Sequence, residues 1–502
     1  MAEFTVRLKD YSMLYVDCEA GYAAELSEFF SFYVPGYKFM PAYKNKVWDG
    51  KIRMFNRING ELSAGLYAYL IKFAADRSYS VDTEESDYGL PVSPEPPQSL
   101  PDLLADEALP FQPRDYQYDA LETALTRTRA ILLSPTGSGK SFIMYLIMMY
   151  YLKHISERVY YSKRFSEADN VLIIVPTTSL VEQLHSDFNS YGLDAEANIH
   201  KIYSGKDKKT NKRIILSTWQ SIYKLPKPWF EQFGMILGDE CHGFKSKSLS
   251  SIMNKSTEAK YRYGLTGTLD GTQTHKLMLE GLFGPVYKVT TTKALQDNET
   301  LAPLDIKVLL LNYPENIRKD FGKREYQDEI EFIVGNVARN RLIRNLAIDA
   351  RGNTLVLFRL VDKHGKPLFD QINNKVDENR KVFFVSGDTD TTDREAIRGI
   401  VEKQSNAIIV ASLGTFSTGI NIRNLHNIIF ASPSKSQIKV LQSIGRGLRK
   451  SDNGQITTLY DIADDLHWKS RKNFTLLHSA QRVKIYEKEQ FNYKLIKVDL
   501  DE

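Results

Sequence analysis

Hydrophobic positions change rhythm as this chain is read from its start. Phe4-Thr5-Val6-Arg7-Leu8 alternates apolar and polar residues, as a strand with one wet face does, and residues 22–33 carry apolar positions at amphipathic-helix spacing. These patterns predict a small mixed α/β unit over residues 1–81. From about Phe111 the apolar residues come instead in short unbroken runs, rich in β-branched side chains and closed by polar turn formers. The first series lies at 130–133, 171–175, 214–216 and 235–237, and the second at 354–358, 382–385, 407–410 and 428–430. Parallel strands buried on both faces read this way, and helical stretches separate them. Two doubly wound α/β lobes are therefore expected, at 111–295 and 296–466, with the boundary near 290–305. A basic, helical tail is expected at 467–502, where Phe474, Leu477, Gln481 and Ile485 fall at helical spacing.

Composition changes this picture at one place. Residues 82–110 contain no Lys or Arg, eight acidic residues and prolines at 91, 94, 96, 97, 101 and 110, which predicts a stiff, solvated linker ahead of the first lobe. The length of 502 residues suits roughly three domains of about 150 residues each. A net charge of +4 describes no polycation, so any nucleic-acid surface must be a local patch. The only cysteines, Cys18 and Cys241, stand far apart without CxxC spacing, which argues against zinc fingers, iron–sulfur clusters and a disulfide scaffold. The N-terminus does not open as a signal peptide, and no apolar run approaches the roughly 20 residues of a membrane span. The longest, 142–152, follows a phosphate-loop signature and is expected as a buried helix. A soluble, cytoplasmic protein without membrane partners is expected.

Two segments carry candidate chemistry. Ser134-Pro135-Thr136-Gly137-Ser138-Gly139-Lys140-Ser141 lies between an expected strand and an expected helix, the context a phosphate-binding loop needs. Thr136, Gly137, Ser138 and Gly139 would bring backbone N–H groups to the phosphates at a helix N-terminus. Lys140 would reach the β- and γ-phosphates of ATP, and Ser141 would ligate Mg²⁺. Ser134 stands where the first glycine of the pattern is usual. About a hundred residues on, Asp239-Glu240-Cys241-His242 follows an apolar run. Asp239 suits Mg²⁺ through water, and Glu240 can orient and deprotonate the attacking water. Cys241 reads as a small packed residue and His242 as a coupling residue. Arg446 and Arg449 lie three apart, on one face of a helix, and can neutralise charge on a transferred phosphoryl group.

With these residues in place, the chain resembles a superfamily 2 helicase over roughly 111–465, which implies two RecA-like lobes. Within the resemblance, Arg114-Asp115-Tyr116-Gln117 matches the segment before the phosphate loop, where Gln117 would read adenine. Pro176-Thr177-Thr178-Ser179-Leu180 and Ser217-Thr218-Trp219-Gln220-Ser221 look like the strand-binding motifs of the first lobe, implying nucleic-acid contacts at Thr178, Thr218 and Trp219. Leu265-Thr266-Gly267-Thr268 looks like the motif that couples hydrolysis to lobe movement. Gly414-Thr415-Phe416-Ser417-Thr418-Gly419 resembles the motif that touches both nucleic acid, at Thr418, and nucleotide, at Gly419. The segment holding Arg446 and Arg449 resembles the arginine-finger motif. The domain order, with Trp48-Asp49-Gly50 in the small first domain, is similar to the UvsW recombination helicases of T-even-like bacteriophages. That implies an ATP- and Mg²⁺-using DNA helicase, monomeric and in the host bacterium's cytoplasm. Such an enzyme would unwind and branch-migrate forks, four-way junctions and RNA–DNA hybrids (R-loops) in recombination, replication and repair, with RNA as a further partner.

The first domain adds a basic stretch. Between Tyr37 and Arg57 lie Lys38, Lys44, Lys46, Lys51, Arg53 and Arg57 against the single acid Asp49, interleaved with Tyr37, Phe39, Tyr43, Trp48 and Phe55. Cations for phosphates and rings for bases make a nucleic-acid platform, with Lys46, Trp48, Lys51 and Arg53 as candidates. An aromatic core with a solvated basic rim would leave the same pattern. In the tail, Lys469, Arg471, Lys472, Arg482 and Lys484 fit either nucleic-acid contact or a helix packed on the second lobe. A duplex translocase without strand separation, of the restriction-motor kind, is the alternative function. A clamp with a degenerate ATP site fits poorly, since Lys140, Asp239, Glu240, Arg446 and Arg449 are all present.

Overall fold

The computed structural model describes residues 2–83, 109–155, 168–269, 271–321, 324–419, 422, 424–433, 436, 440, 444–445 and 456–500. Two compact units divide the chain, one of residues 1–134 and 139–289, the other of 290–502 with 135–138. Most of the linker expected at 82–110 lies outside the described residues.

The small N-terminal domain holds β1 (Phe4–Leu8), β2 (Met13–Cys18), β3 (Ser31–Tyr33), β4 (Lys51–Arg53), β5 (Phe55–Asn56), β6 (Glu61–Ser63) and β7 (Val81–Thr83). Five of them form a mixed sheet in the order β5-β6-β2-β1-β7, while β3 and β4 make a separate antiparallel pair. Alternation in β1 places Phe4 and Val6 in a core with Leu26, Phe30, Leu70 and Phe73. The helix expected over 22–33 is Ala20–Phe29, and its last expected residues are β3 instead. Ser31, Phe32 and Tyr33 pair with Arg53, Ile52 and Lys51, so a distant partner overrides the local helical spacing.

The first lobe is a seven-stranded, wholly parallel sheet of β8 (Arg129–Leu133), β9 (Asn170–Val175), β10 (Ile199–Ile202), β11 (Ile214–Thr218), β12 (Phe233–Asp239), β13 (Tyr261–Thr266) and β14 (Val286–Lys288). Their order is β10-β11-β9-β12-β13-β8-β14. Successive residues serve opposite faces: Val171, Ile173 and Val175 join one core, Leu172 and Ile174 the other. That double burial explains the unbroken apolar runs. The helix Lys140–Tyr150 is buried along most of its length.

The second lobe repeats the plan with β15 (Leu304–Asn312), β16 (Thr354–Phe358), β17 (Val382–Val385), β18 (Ile408–Ser412), β19 (Asn427–Phe430), β20 (Thr457–Asp465) and β21 (Tyr493–Asp499), in the order β17-β18-β16-β19-β20-β15-β21. Two RecA-like parallel sheets are thus present. The tail is not helical throughout. Its helix Phe474–Lys488 is followed by β21, which runs parallel to β15 at the sheet edge. Arg482 is also no surface cation, because it is buried and ion-paired with Asp461 at 2.7 Å. Leu477, one of the residues at helical spacing, is exposed on that helix.

One buried histidine makes this lobe acid-sensitive. His364 donates from Nε2 to Asn340 Oδ1 at 3.2 Å and has Nδ1 3.1 Å from the Ser432 hydroxyl, which can donate to it, so the neutral ring is fully satisfied. Burial first, and the Arg339 charge second, drive its pKa down to about 3. The unfolded chain therefore binds the proton more tightly. The stabilisation is complete above the ordinary histidine value and is lost as pH falls from there toward about 3. Between pH 7 and pH 5 the wild type should lose about 2 kcal/mol more stability than a His364→Gln variant. Thermal melts at the two pH values check this, and equal losses would contradict it.

Candidate nucleotide and nucleic-acid sites

Strand β8 delivers the chain to the phosphate loop. Ser134 N–H donates to Thr266 O at 2.9 Å, tying the start of the loop to the end of neighbouring β13. The Ser138 hydroxyl donates to Pro135 O at 2.7 Å and closes the turn. Gly137 and Gly139 sit at φ 88° and 80°, a region that side-chain-bearing residues rarely enter. Gly139 is the N-cap of helix Lys140–Tyr150 and supplies no capping side chain, so the helix N-terminus presents its N–H groups as an anion site does. Lys140 is the first residue of that helix. A Cβ on Gly139 would also come within 2.5 Å of Gln117 Nε2, which places the Gln117 carboxamide against the loop. Its other end accepts from Arg114 N–H at 3.0 Å, fixing the side chain at the start of helix Asp115–Leu125.

The acid pair lies at the end of β12. Asp239 is its last residue, and Glu240 follows at φ 47°, a strained setting for a non-glycine residue. Register then brings in the neighbour: Asp239 pairs with Leu265 on β13, so Glu240 comes beside Thr266. His242 Nδ1 lies 3.0 Å from Thr266 Oγ1 and 3.3 Å from Glu240 Oε2, and Thr266 Oγ1 lies 3.5 Å from the same carboxylate oxygen. Acid, histidine and the Thr266-Gly267-Thr268 segment form one polar cluster. His275, which no motif in the sequence marks, joins it by donating from Nε2 to His242 O at 2.8 Å. Cys241 is fully buried, and burial holds its thiol well above the ordinary value, so it is a packed residue and not a nucleophile.

These residues fit a magnesium–nucleotide complex. Burial first, then the Glu240 charge, push the Asp239 carboxyl up to about 6, with Lys140 pulling the other way. A buried carboxyl beside a second acid suits a divalent cation, which would favour its charged form. Ser141 Oγ is 2.9 Å from Tyr191 Oη, and donating its proton there leaves a lone pair for the metal. One carboxylate and one hydroxyl, with phosphates and water completing the shell, is the donor set Mg²⁺ accepts.

The strand-binding candidates of the first lobe follow the C-terminal ends of β9 and β11, side by side because Thr218 pairs with Val175. Gln220 Nε2 donates to Pro176 O at 3.1 Å and links the two loops. Thr178 is exposed. Thr218 is buried, its hydroxyl 2.9 Å from Ser221 Oγ, and Trp219 packs partly into the core against Tyr223. In the second lobe, Thr418 and Gly419 end helix Leu413–Gly419 after β18. Arg446 and Arg449 lie outside the described residues.

In the N-terminal domain, Lys51 pairs with Glu28 and Arg53 with Asp49, while Lys46 is exposed. Trp48 is half-buried, and its indole N–H donates to Lys51 O at 2.8 Å. Among the aromatics of the basic stretch, the most exposed is Phe39, at 80%. Phe39 was legible as one of the interleaved aromatics. Only its exposure distinguishes it from Trp48.

Comparison with known proteins bears on the whole chain. A family model described as DNA helicase UvsW, N-terminal, matches residues 3–84. A model for the type III restriction enzyme res subunit matches 110–271, and one for the helicase conserved C-terminal domain matches 338–451. The ATP-dependent DNA helicase uvsW of Enterobacteria phage T4 is 35% identical over 99% of this chain and 100% of its own length. The chain belongs to the UvsW helicase family. The crystal structure of T4 UvsW agrees, with 33% identity, 99% and 100% coverage and a TM-score of 0.50. A more distant relative, the DNA 3'-5' translocase XPB2 of Sulfurisphaera tokodaii, is 24% identical over 70% of this chain and 82% of its own. As a UvsW-family member the chain is a superfamily 2 ATP-dependent DNA helicase, an enzyme that uses ATP and binds nucleic acid. Among the described residues, no helix is long and apolar enough to cross a membrane.

Proposed function

We propose that this helicase unwinds and branch-migrates forked DNA, four-way junctions and RNA–DNA hybrids during phage recombination, replication and repair. It would act as a monomer in the host cytoplasm. The observation that carries the reading is that Lys140 and the acid pair share one compact unit with an N-terminal domain whose tip is aromatic, basic and exposed. Loop N–H groups and Lys140 would hold the phosphates, Gln117 would meet adenine, and Ser141 and Asp239 would hold Mg²⁺. The metal supplies charge neutralisation at the phosphates when bound. Glu240 orients and deprotonates the attacking water, and Arg446 and Arg449, assigned on their motif alone, neutralise the transferred phosphoryl group.

Thr178, Thr218, Trp219 and Thr418 mark the strand path, where phosphate contacts make shape matter more than sequence. At the N-terminal tip, Lys46, Lys51 and Arg53 take phosphates. The surface ion pairs of Lys51 and Arg53 are weak enough to be exchanged. Phe39 offers a face to unpaired bases, a role Trp48 fills less well from its half-buried position. Replacing Lys46, Lys51 and Arg53 with alanine should flatten the salt dependence of duplex binding, the log–log slope falling by about 0.9 for each phosphate no longer neutralised. An unchanged slope in a titration from low to high salt would remove these residues from the interface.

Labelled forks and four-way junctions test the reading directly. With ATP the wild type should release strands from both, and a Lys140→Ala variant from neither. Vigorous ATP turnover without strand release would favour the duplex-translocase alternative, which the match to XPB2 supports.

A further inference from the structure

Helix Gln273–Phe283 belongs to two cores at once. Leu279, Leu282 and Phe283 pack in the first lobe, whereas Leu277 is buried among the N-terminal domain's Phe4, Leu66 and Leu70. Glu280, almost fully buried, accepts from the Tyr69 hydroxyl of that domain at 2.7 Å. The backbones touch as well: a Cβ on Gly65 would stand 1.9 Å from Glu280 O and 2.8 Å from Gly281 O. Further along this seam Arg262, on β13, donates to Ser12 Oγ at 2.8 Å, and Arg129 donates to Tyr11 O at 2.9 Å. The domain is keyed onto the lobe by side chains that leave little room to slide.

The other end of the same helix reaches the ATPase chemistry. His275 is in its first turn, 3% exposed, and its Nε2–H holds the carbonyl of His242. The His242 ring in turn lies against Glu240 and Thr266. Glu280 lies five positions beyond His275, about 7.5 Å along stiff helix. The helix thus joins the Tyr69–Glu280 bond at one end to the turn that carries Glu240 at the other, and that turn's left-handed backbone has few alternative conformations.

We propose that His275 is a positioning residue for the acid pair, and that helix Gln273–Phe283 transmits the N-terminal domain's grip on nucleic acid to ATP hydrolysis. The proposal rests on the function reading above, in which Glu240 orients water and the N-terminal domain holds DNA. It also gives a reason for the seam: a domain tethered only by its linker could bind DNA without informing the ATP site.

The test is steady-state ATP turnover of the full chain, with and without forked DNA, for Tyr69→Phe, His275→Leu and His275→Gln. Melting temperature and fork affinity are measured alongside. Tyr69→Phe keeps the ring and removes one hydrogen bond. It should leave basal turnover unchanged and lower DNA-stimulated kcat roughly fivefold, the effect of one hydrogen bond, with KM for ATP and fork affinity unmoved. His275→Leu should lower kcat under both conditions, and His275→Gln, which restores a donor, should recover most of it. Wild-type kcat in Tyr69→Phe and His275→Leu overturns the proposal. So does a loss that follows melting temperature or fork affinity and that glutamine does not rescue. A wild type unstimulated by forked DNA overturns the function reading instead, and the leucine–glutamine pair in basal turnover then still decides whether His275 positions the acid pair.

Discussion

Glutamine at position 240 is expected to silence ATP turnover and spare ATP binding. Glu240 stands one residue past β12, held by its backbone at φ 47° and flanked by His242 and Thr266. Glutamine keeps the size of the side chain and loses the base. A positioned general base contributes about 10²–10⁴ in rate, so kcat should fall by that factor. Nucleotide affinity, which depends on the phosphate loop and Lys140, should stay near wild type. Lys140→Ala is expected to lose both. Single-turnover hydrolysis with a fluorescent ATP analogue, read beside equilibrium binding, separates the two effects. Turnover surviving Glu240→Gln would remove the residue from its assigned role.

The largest effect on stability is expected in the second lobe. Arg339 on helix Val337–Asp349 donates from Nε and Nη2 to the two carboxylate oxygens of Asp464 on β20, at 2.7 and 3.1 Å, and from Nη2 to Ala431 O at 2.8 Å. Tyr313 donates its hydroxyl to the same carboxylate at 2.8 Å. Both ion-pair side chains are fully buried. Arg339→Leu would leave the carboxylate buried with too few partners, at a cost of about 3–5 kcal/mol. Arg339→Leu with Asp464→Leu should recover much of the loss, because two apolar groups avoid the desolvation that the pair must overcome. Denaturant melts of the single and double variants decide it. A single-variant loss no larger than the roughly 1 kcal/mol of a surface pair would contradict the burial.

These buried charges also explain what the sequence concealed. Strands made of aliphatic runs, such as 171–175 and 354–358, announced themselves because both faces of a parallel sheet are apolar. β13 did not, since its second residue is Arg262, fully buried with its guanidinium satisfied by Ala259 O, Met253 O, Ser256 O and Ser12 Oγ. β20 hides Asp461 and Asp464 in the same way, and Arg482 looked like a surface cation because its partner lies 21 residues earlier in sequence. β21 is an exposed edge strand, too polar to read as a buried parallel strand, so the sequence places it in the expected helical tail. The nucleotide site was the more legible part, because a phosphate loop and an acid pair are short and local in sequence. His275 was not legible: its role depends on a carbonyl 33 residues away, brought near by the fold. Phe39 and Trp48 look equivalent in sequence, and only packing tells the exposed ring from the half-buried one.

The most direct measurement is the ATP turnover rate of the full chain alone and with single-stranded DNA, duplex, fork, four-way junction and RNA, beside Lys140→Ala. Branched DNA should raise turnover most, and the variant should be inert on every substrate. Turnover that no nucleic acid changes would contradict a motor whose hydrolysis answers to the strand it holds.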